Sequence, residues 1–487
     1  MHLRAPALEE LSSKTFDALI IGGGITGAGI ARDAAMRGLS VALVDKGDFA
    51  SGTSSRSSRL IHGGVRYLEH GHLHLVFEAS AERRRLMRLA PHLVRPLPFT
   101  WPVYLGQRLP IWKLAVGLTL YDLLSLFRNV ERHRRLSADD VLAAEPSLCS
   151  DHLRGGVRYF DAATDDARLT LANVLDAQRH GAVVANHVAF TGVGESSDGL
   201  TVSRLEDTLT GNRLEIRAQL RVNATGPWSD AVRQLQGAPP TSKVQGSKGS
   251  HVALRRERVG NRDAVTLLHP RDGRVMFTLP AGANTIIGTT DTFTSVSPDE
   301  VRASESDVAY LLEAANAFFP DARLNRDDVV AAWAGIRPLM PSKGSSVQAS
   351  REHAIARDGR EVTITGGKLT TFRVMAAEVV DVVQRALRMP QTRAPTDERP
   401  LPGGDPAHAG PQVTIGLSYR MGALRWAVDH EMACTLGDLL IRRTRIAFET
   451  RDNGRAAARR VATFLGWEPK ELERYDAEVA RIFTIDP

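Results

Sequence analysis

Phe16-Asp17-Ala18-Leu19-Ile20-Ile21-Gly22-Gly23-Gly24-Ile25-Thr26-Gly27-Ala28-Gly29 decides how this chain begins to fold. Six mostly apolar residues run directly into glycines, and an alanine-rich segment follows to Arg37-Gly38. That order reads as strand, tight turn, helix and glycine stop. Ser40-Val41-Ala42-Leu43-Val44-Asp45 adds a second strand ending in an acid, which completes a βαβ unit of about 30 residues. Gly22-x-Gly24-x-x-Gly27, with Asp45 about twenty residues on, is the spacing of a dinucleotide site. The glycines let backbone N–H groups approach a pyrophosphate, whose charge the helix N-terminus favours. Asp45 would accept from ribose hydroxyls and repel a 2′-phosphate, which disfavours NADP.

Two later segments favour a flavin over a nicotinamide. Val222-Asn223-Ala224-Thr225-Gly226-Pro227-Trp228 ends a strand in small residues, as backbone passing close to a dinucleotide requires. Thr365-Gly366-Gly367-Lys368-Leu369-Thr370-Thr371 turns from a strand into a helix start that can face an anionic ring edge. Lys368 there would stabilise negative charge on a reduced flavin. On residue type alone, Lys368 fits an exposed lysine at a helix start equally well, and Thr370 and Thr371 fit helix caps. The run from Gly52 to Tyr67 packs hydroxyls, cations, glycines and His62 into one segment, suited to pyrophosphate, ribitol and an anionic substrate. A serine-rich loop with a structural histidine is its plainer reading.

The 487 residues are 43% hydrophobic and 24% charged, an ordinary globular composition that at this length suggests about two to four domains. Lys and Arg total 62 against 56 Asp and Glu; that excess is too small to point to nucleic acid, and none is expected as a partner. Cys149 and Cys434 form no metal-ligand pattern, so no metal site and reduced cytosolic thiols are expected. Met1 to Lys14 lacks a long apolar region, so no leader is expected. The longest apolar stretch, Leu114 to Phe127, contains Asp122 and is shorter than the ~20 residues a span needs. Strands are expected at Ala182 to Ala189, Leu220 to Ala224, Thr285 to Gly288 and Val362 to Thr365. Helices are expected at Glu78 to Leu89, Ser306 to Phe319, Leu369 to Leu387, Gly422 to Glu449 and Gly454 to Phe483. The Pro- and Gly-rich stretch Thr392 to Pro411 predicts a linker.

Taken together, the GGGxTGxG start, Thr53 to His70, Asp165 to Leu169, Asn223 to Trp228, Lys248 to His251, Ile287 to Asp291, Gly335 to Leu339 and Gly366 to Thr371 resemble the FAD-dependent glycerol-3-phosphate dehydrogenases of the aerobic type. The resemblance runs in order over residues from about 15 to 405. It implies an α/β fold: a Rossmann-like FAD-binding domain of the glycine-oxidase type, an α+β substrate domain and a small helical C-terminal domain. The corresponding ranges are 1–70, 160–240 and 345–400 for FAD, 71–159 and 241–344 for substrate, and 401–487 for the helical domain.

Carried over by motif, Gly22, Gly24, Gly27, Asp45, Thr53, Ser54, Ser57, Arg59, Leu60, Gly226 and Leu369 would lie along FAD. Arg66, Tyr67, Arg274 and Thr370 would bind substrate, and His251, Arg337, Lys368 and His62 would carry the chemistry. The implied reaction oxidises sn-glycerol 3-phosphate to dihydroxyacetone phosphate, the C2 hydride going to flavin N5 and the electrons to a membrane quinone. Several cations suit a phosphate dianion, and a base must take the hydroxyl proton. His251 leads His62 for that role, an arginine near the alcohol being able to share it. Arg274 rests on a looser match and fits a surface strand arginine as well.

After Leu401-Pro402-Gly403-Gly404 the family's longer helical insertion is replaced by a short link, so the C-terminal domain is expected to be reduced. No cysteine-rich extension of the anaerobic relatives' kind is expected, which argues against that electron route. Trp101 to Arg135 interleaves aromatic residues with cations, as a membrane-interface surface would, and as a buried helix with solvated ends would too. The expected setting is cytoplasmic, peripheral to the inner face of the cell membrane, with a homodimer as a further partner. Competing readings are an oxidase using O₂, an amine or 2-hydroxy-acid oxidoreductase of the same fold, and a non-catalytic flavoprotein scaffold.

Overall fold

The computed structural model describes residues 3–64, 73–107, 109–124, 130–195, 198–239, 244–340, 352–403 and 409–487. Arg66 and Tyr67 lie outside the described residues.

The opening run forms the strand Thr15–Ile21 at the heart of an eight-stranded sheet. It pairs in parallel with Arg213–Asn223 on one side and Val41–Val44 on the other. Glu361–Gly366 and Val183–Ala185 extend the parallel core, and His353–Asp358 closes one edge antiparallel. Parallel strands covered on both faces read as continuous apolar runs, and Leu19, Ile20 and Val41 to Val44 are all buried. The helices Ile25–Met36, Asp166–Arg179 and Phe372–Ala386 pack together over this sheet. The expected strand from Ala182 to Ala189 is broken at His187, whose φ of 54° turns the chain between Val183–Ala185 and Val188–Val193.

A second, ten-stranded sheet is mostly antiparallel and carries Val94–Tyr104, Leu153–Thr164, Gln245–Arg255, Val275–Ala281, Asn284–Gly288 and Val329–Leu339. Strand register fixes which of its side chains meet. Gln245–Arg255 lies between two antiparallel neighbours, which sets His251 opposite both Gly288 and Trp333, and Ser247 opposite Arg337. The helix Glu305–Phe318 covers this sheet and starts at a Ser304–Asp307 capping box.

The C-terminal helices Met421–His430, Arg455–Leu465 and Lys470–Phe483 form one apolar cluster with the second sheet, where Phe448 meets Trp333 and Phe483 edge-on. Buried ion pairs join them to the first sheet. Arg442 Nε donates to Asp48 Oδ2 at 2.7 Å, Arg443 grips both Asp48 oxygens, and Arg168 holds Glu431 with two bonds. The single helix expected from Gly422 to Glu449 is split here. Buried Asp438 accepts from the Cys434 and Thr435 backbone and from Arg442, and opens a π-turn over Asp438–Arg443. Among the described residues, no helix is long and apolar enough to cross a membrane.

Candidate active site

The glycine turn is shaped by contacts no side chain could survive. A Cβ on Gly27 would stand 1.8 Å from the Gly22 carbonyl oxygen, so helix and turn close only without one. The Ile25 N–H donates to Ser54 Oγ at 2.9 Å, which joins the helix start to the Thr53–Ser55 turn. Asp45 accepts from the Gly23 and Gly47 N–H groups at 2.7 and 2.8 Å. Burial pushes its carboxyl up to about 6 despite those bonds.

From this turn a cavity of about 1130 Å³ runs between the two sheets. Gly22, Gly24, Asp45, Thr53, Ser54, Ser57, Leu60, Gly226 and Leu369 line it. Ser57 is engaged within the protein, its hydroxyl donating to Asp166 at 2.6 Å. Arg59 is placed differently from that expectation: its side chain is outside this lining, with the guanidinium 4.8 Å from the Phe448 ring and 5.6 Å from Trp333. A φ of 57° at Arg59 turns it toward the C-terminal helices. Gly27 is a packing residue rather than a wall of the groove.

At the other end His62, His251, Arg274, Arg337 and Lys368 share the same cavity. They come from the loop after Leu60–Ile61, two strands of the second sheet, the turn before Val275–Ala281, and the turn leading into Phe372–Ala386. Arg337 donates to the Thr289 hydroxyl at 2.9 Å and to the Thr290 carbonyl at 3.3 Å. Arg274 donates to the Asp291 carbonyl at 3.1 Å. Thr370 stands behind the wall and donates to the His62 carbonyl at 3.3 Å, so it braces the loop.

His251 is 2% exposed and stacks on Trp333 with ring centres 5.4 Å apart. Its Nε2 shares a 2.9 Å hydrogen bond with Ser58 Oγ, and Nδ1 is buried without a partner. Burial, then Arg337 and Arg59, push the imidazole down to about 3. Close packing again depends on glycine: a Cβ on Gly288 would lie 2.3 Å from the His251 ring, and one on Gly249 would lie 2.3 Å from Arg337.

Three residues of this site were given no role by the sequence, although Ser58 and Asp291 fall within its motifs. Ser58 is one of several serines in its run, Trp333 reaches His251 only through strand register, and Asp291 sits in a turn. Asp291 is buried, accepts from the Ser247 hydroxyl, and lies 3.6 Å from Arg337 and 3.9 Å from Arg274. Away from this site, Asp48, His187 and Asp438 approach one another closely, but Arg442 and Arg443 occupy their oxygens, which makes the cluster an ion-pair network.

The groove fits a flavin dinucleotide on its own geometry: a close-approach glycine turn at a helix start, an acid at the end of the next strand, and room for an elongated ligand. Comparison with known proteins agrees. The family of FAD dependent oxidoreductases matches residues 17–371, and the C-terminal domain of alpha-glycerophosphate oxidase matches residues 394–472. The chain is 34% identical to the glycerol-3-phosphate dehydrogenase of Synechocystis sp., with 96% of each covered. It is 37% identical to the aerobic glycerol-3-phosphate dehydrogenase of Staphylococcus haemolyticus, over 82% of this chain and 72% of that one. The solved glycerol-3-phosphate dehydrogenase from Bacillus halodurans, complexed with FAD, superposes with a TM-score of 0.77 at 29% identity, covering 98% of this chain and 97% of that one. Glycine oxidase from Geobacillus kaustophilus shares the fold, with a TM-score of 0.60 at 21% identity over 80% of this chain and 98% of that one. Groove, fold and sequence agree that the chain belongs to the FAD-dependent glycerol-3-phosphate dehydrogenase family.

Proposed function

We propose that this protein oxidises sn-glycerol 3-phosphate at C2 to dihydroxyacetone phosphate. The observation that carries the reading is the convergence of Arg274, Arg337 and Lys368 with His251 at one end of a flavin-sized cavity. A carboxylate needs one bidentate arginine, whereas a phosphate dianion is matched by two guanidinium groups. FAD, when bound, supplies the two-electron acceptor for the C2 hydrogen at N5.

Arg274 and Arg337 seat the phosphate, and the Thr289–Asp291 turn holds both guanidiniums in place. His251 takes the hydroxyl proton. Arg337 helps to hold its basicity down, and the dianion that seats on Arg337 offsets that charge, so the imidazole becomes a better base once substrate is present. Lys368 opposes negative charge on the ring system. His62 orients the alcohol from the loop braced by Thr370.

A membrane quinone is the proposed onward acceptor. Support comes from the helix Ile111–Leu124, where Trp112, Val116 and Leu123 are 60%, 61% and 52% exposed, a face suited to a peripheral membrane surface. The match of residues 394–472 to a domain of alpha-glycerophosphate oxidase favours a second reading, with O₂ as acceptor. Anaerobic addition of glycerol 3-phosphate to the yellow holoenzyme should bleach it. Bleaching by glycine or lactate instead would reject the substrate, and no bleaching by any of them would favour a scaffold. On readmitting air, hydrogen peroxide in step with substrate consumed would select the oxidase reading.

A further inference from the structure

The cavity does not end at the groove. Beyond the Thr53–Ser55 turn it continues against the C-terminal helix Lys470–Phe483, where Arg56, Arg442, Arg474 and Arg481 line it. Three acids share that wall, and each is already engaged. Asp48 is held by Arg442 and Arg443. Asp299 accepts from Lys46 at 2.8 Å and from Trp228 Nε1 at 3.0 Å. Glu478 accepts from Arg442 at 2.7 Å, with Arg481 at 3.8 Å.

Arg56 is the exception. It is 6% exposed, its Nε is buried without a hydrogen-bond partner, and no carboxylate pairs with it among the described residues. The strand Val329–Leu339 packs tightly against it, since a Cβ on Gly335 would lie 3.2 Å from both Arg56 Cβ and its carbonyl oxygen, and the side chain lines the cavity. A buried cation without a counter-ion is costly, and the cost is removed by a ligand that brings the negative charge. Burial lowers the guanidinium to about 10, with Arg481 and Arg442 adding to that lowering against Glu478 and Asp299, neither of which pairs with it.

We propose that Arg56 binds a phosphate-type oxyanion in this part of the cavity, at the junction of the turn Thr53–Ser55 and the helix Lys470–Phe483. Two sources offer that chemistry, the pyrophosphate of FAD and a free phosphate compound entering beside it. A planar fork of donors suits either. The inference rests on the family's cofactor and not on the identity of the substrate, so it stands or falls apart from the bleaching assay above.

The test uses holoenzyme with Arg56→Gln and Arg56→Lys, in the wild-type chain and in Arg337→Ala, which removes one of the two arginines proposed to seat the substrate phosphate. FAD affinity is read from the flavin fluorescence that appears on dilution, and anion binding from the unfolding midpoint during titration with inorganic pyrophosphate. If the pyrophosphate of FAD is the ligand, glutamine removes a charge-assisted hydrogen bond and weakens FAD binding by ~10-fold or more, with lysine intermediate. Unchanged FAD affinity, with pyrophosphate stabilising Arg337→Ala but not Arg337→Ala/Arg56→Gln, assigns the site to a free anion. If both readings are unmoved by Arg56→Gln, the guanidinium is structural and the proposal is overturned. Arg56→Lys keeps the buried charge but not the fork, and carries the same two measurements should the glutamine variant fail to fold.

Discussion

Lowering the pH from 7 to 5 should cost this fold about 2 kcal/mol through one side chain. His251 is almost fully enclosed by Trp333, Gly288 and the strand pair around it, and burial with Arg337 and Arg59 lowers its basicity from 6.5 to about 3. The unfolded chain protonates this histidine as the pH falls through 6.5, while the folded chain resists until about 3. Stability is therefore complete above 6.5 and falls with pH below it, because the unfolded state binds the extra proton. At pH 5 the gap is about one and a half pH steps at ~1.4 kcal/mol each, hence ~2 kcal/mol. Urea unfolding at pH 7 and pH 5, run on wild type and His251→Gln, isolates the effect from every other titrating group. The wild type should lose ~2 kcal/mol more than the variant between the two conditions. Equal losses in the two proteins would refute the reasoning, since they would mean that His251 is charged, or freely hydrated, in the folded chain.

The same geometry sets the outcome of four other substitutions. Gly27→Ala places a methyl 1.8 Å from the Gly22 oxygen, so helix and turn must separate; we expect a loss of ~3 kcal/mol or more in urea unfolding and purification without flavin. Arg337→Ala should retain FAD, seen in the visible spectrum, while kcat/KM for glycerol 3-phosphate falls by ~100-fold or more. Asp45→Ala removes the acceptor that holds the Gly23 and Gly47 N–H groups together with the proposed ribose contact, and should weaken FAD binding ~10- to 100-fold in reconstitution titrations. Asp291→Asn keeps the shape of the turn but removes the charge between Arg274 and Arg337; steady-state kinetics should show KM rising ~10-fold with kcat within about threefold.

Elements whose causes are local were legible from the residues alone. An apolar run ending in glycines becomes a strand and a turn whatever surrounds it, and Thr15–Ile21, Ile25–Met36 and Val41–Val44 appear where periodicity and punctuation place them. The helices Glu305–Phe318 and Phe372–Ala386 were legible in the same way, and so was the run of small residues at Gly226.

Which side chains meet was settled by the packing of the folded chain. His251 and Trp333 are joined by strand register, while Ser58 reaches His251, and Asp291 its two arginines, from loops that the folded sheets bring alongside. Placement was equally hidden: Arg59 lies outside the lining of the groove, and Arg56 lines a cavity shared with a helix more than four hundred residues later. Local propensity depends on neighbours in sequence, whereas the charge state of His251, the break at Asp438 and the isolation of Arg56 depend on what is excluded from water around them. Burial of that kind belongs to the assembled chain and to no segment of it.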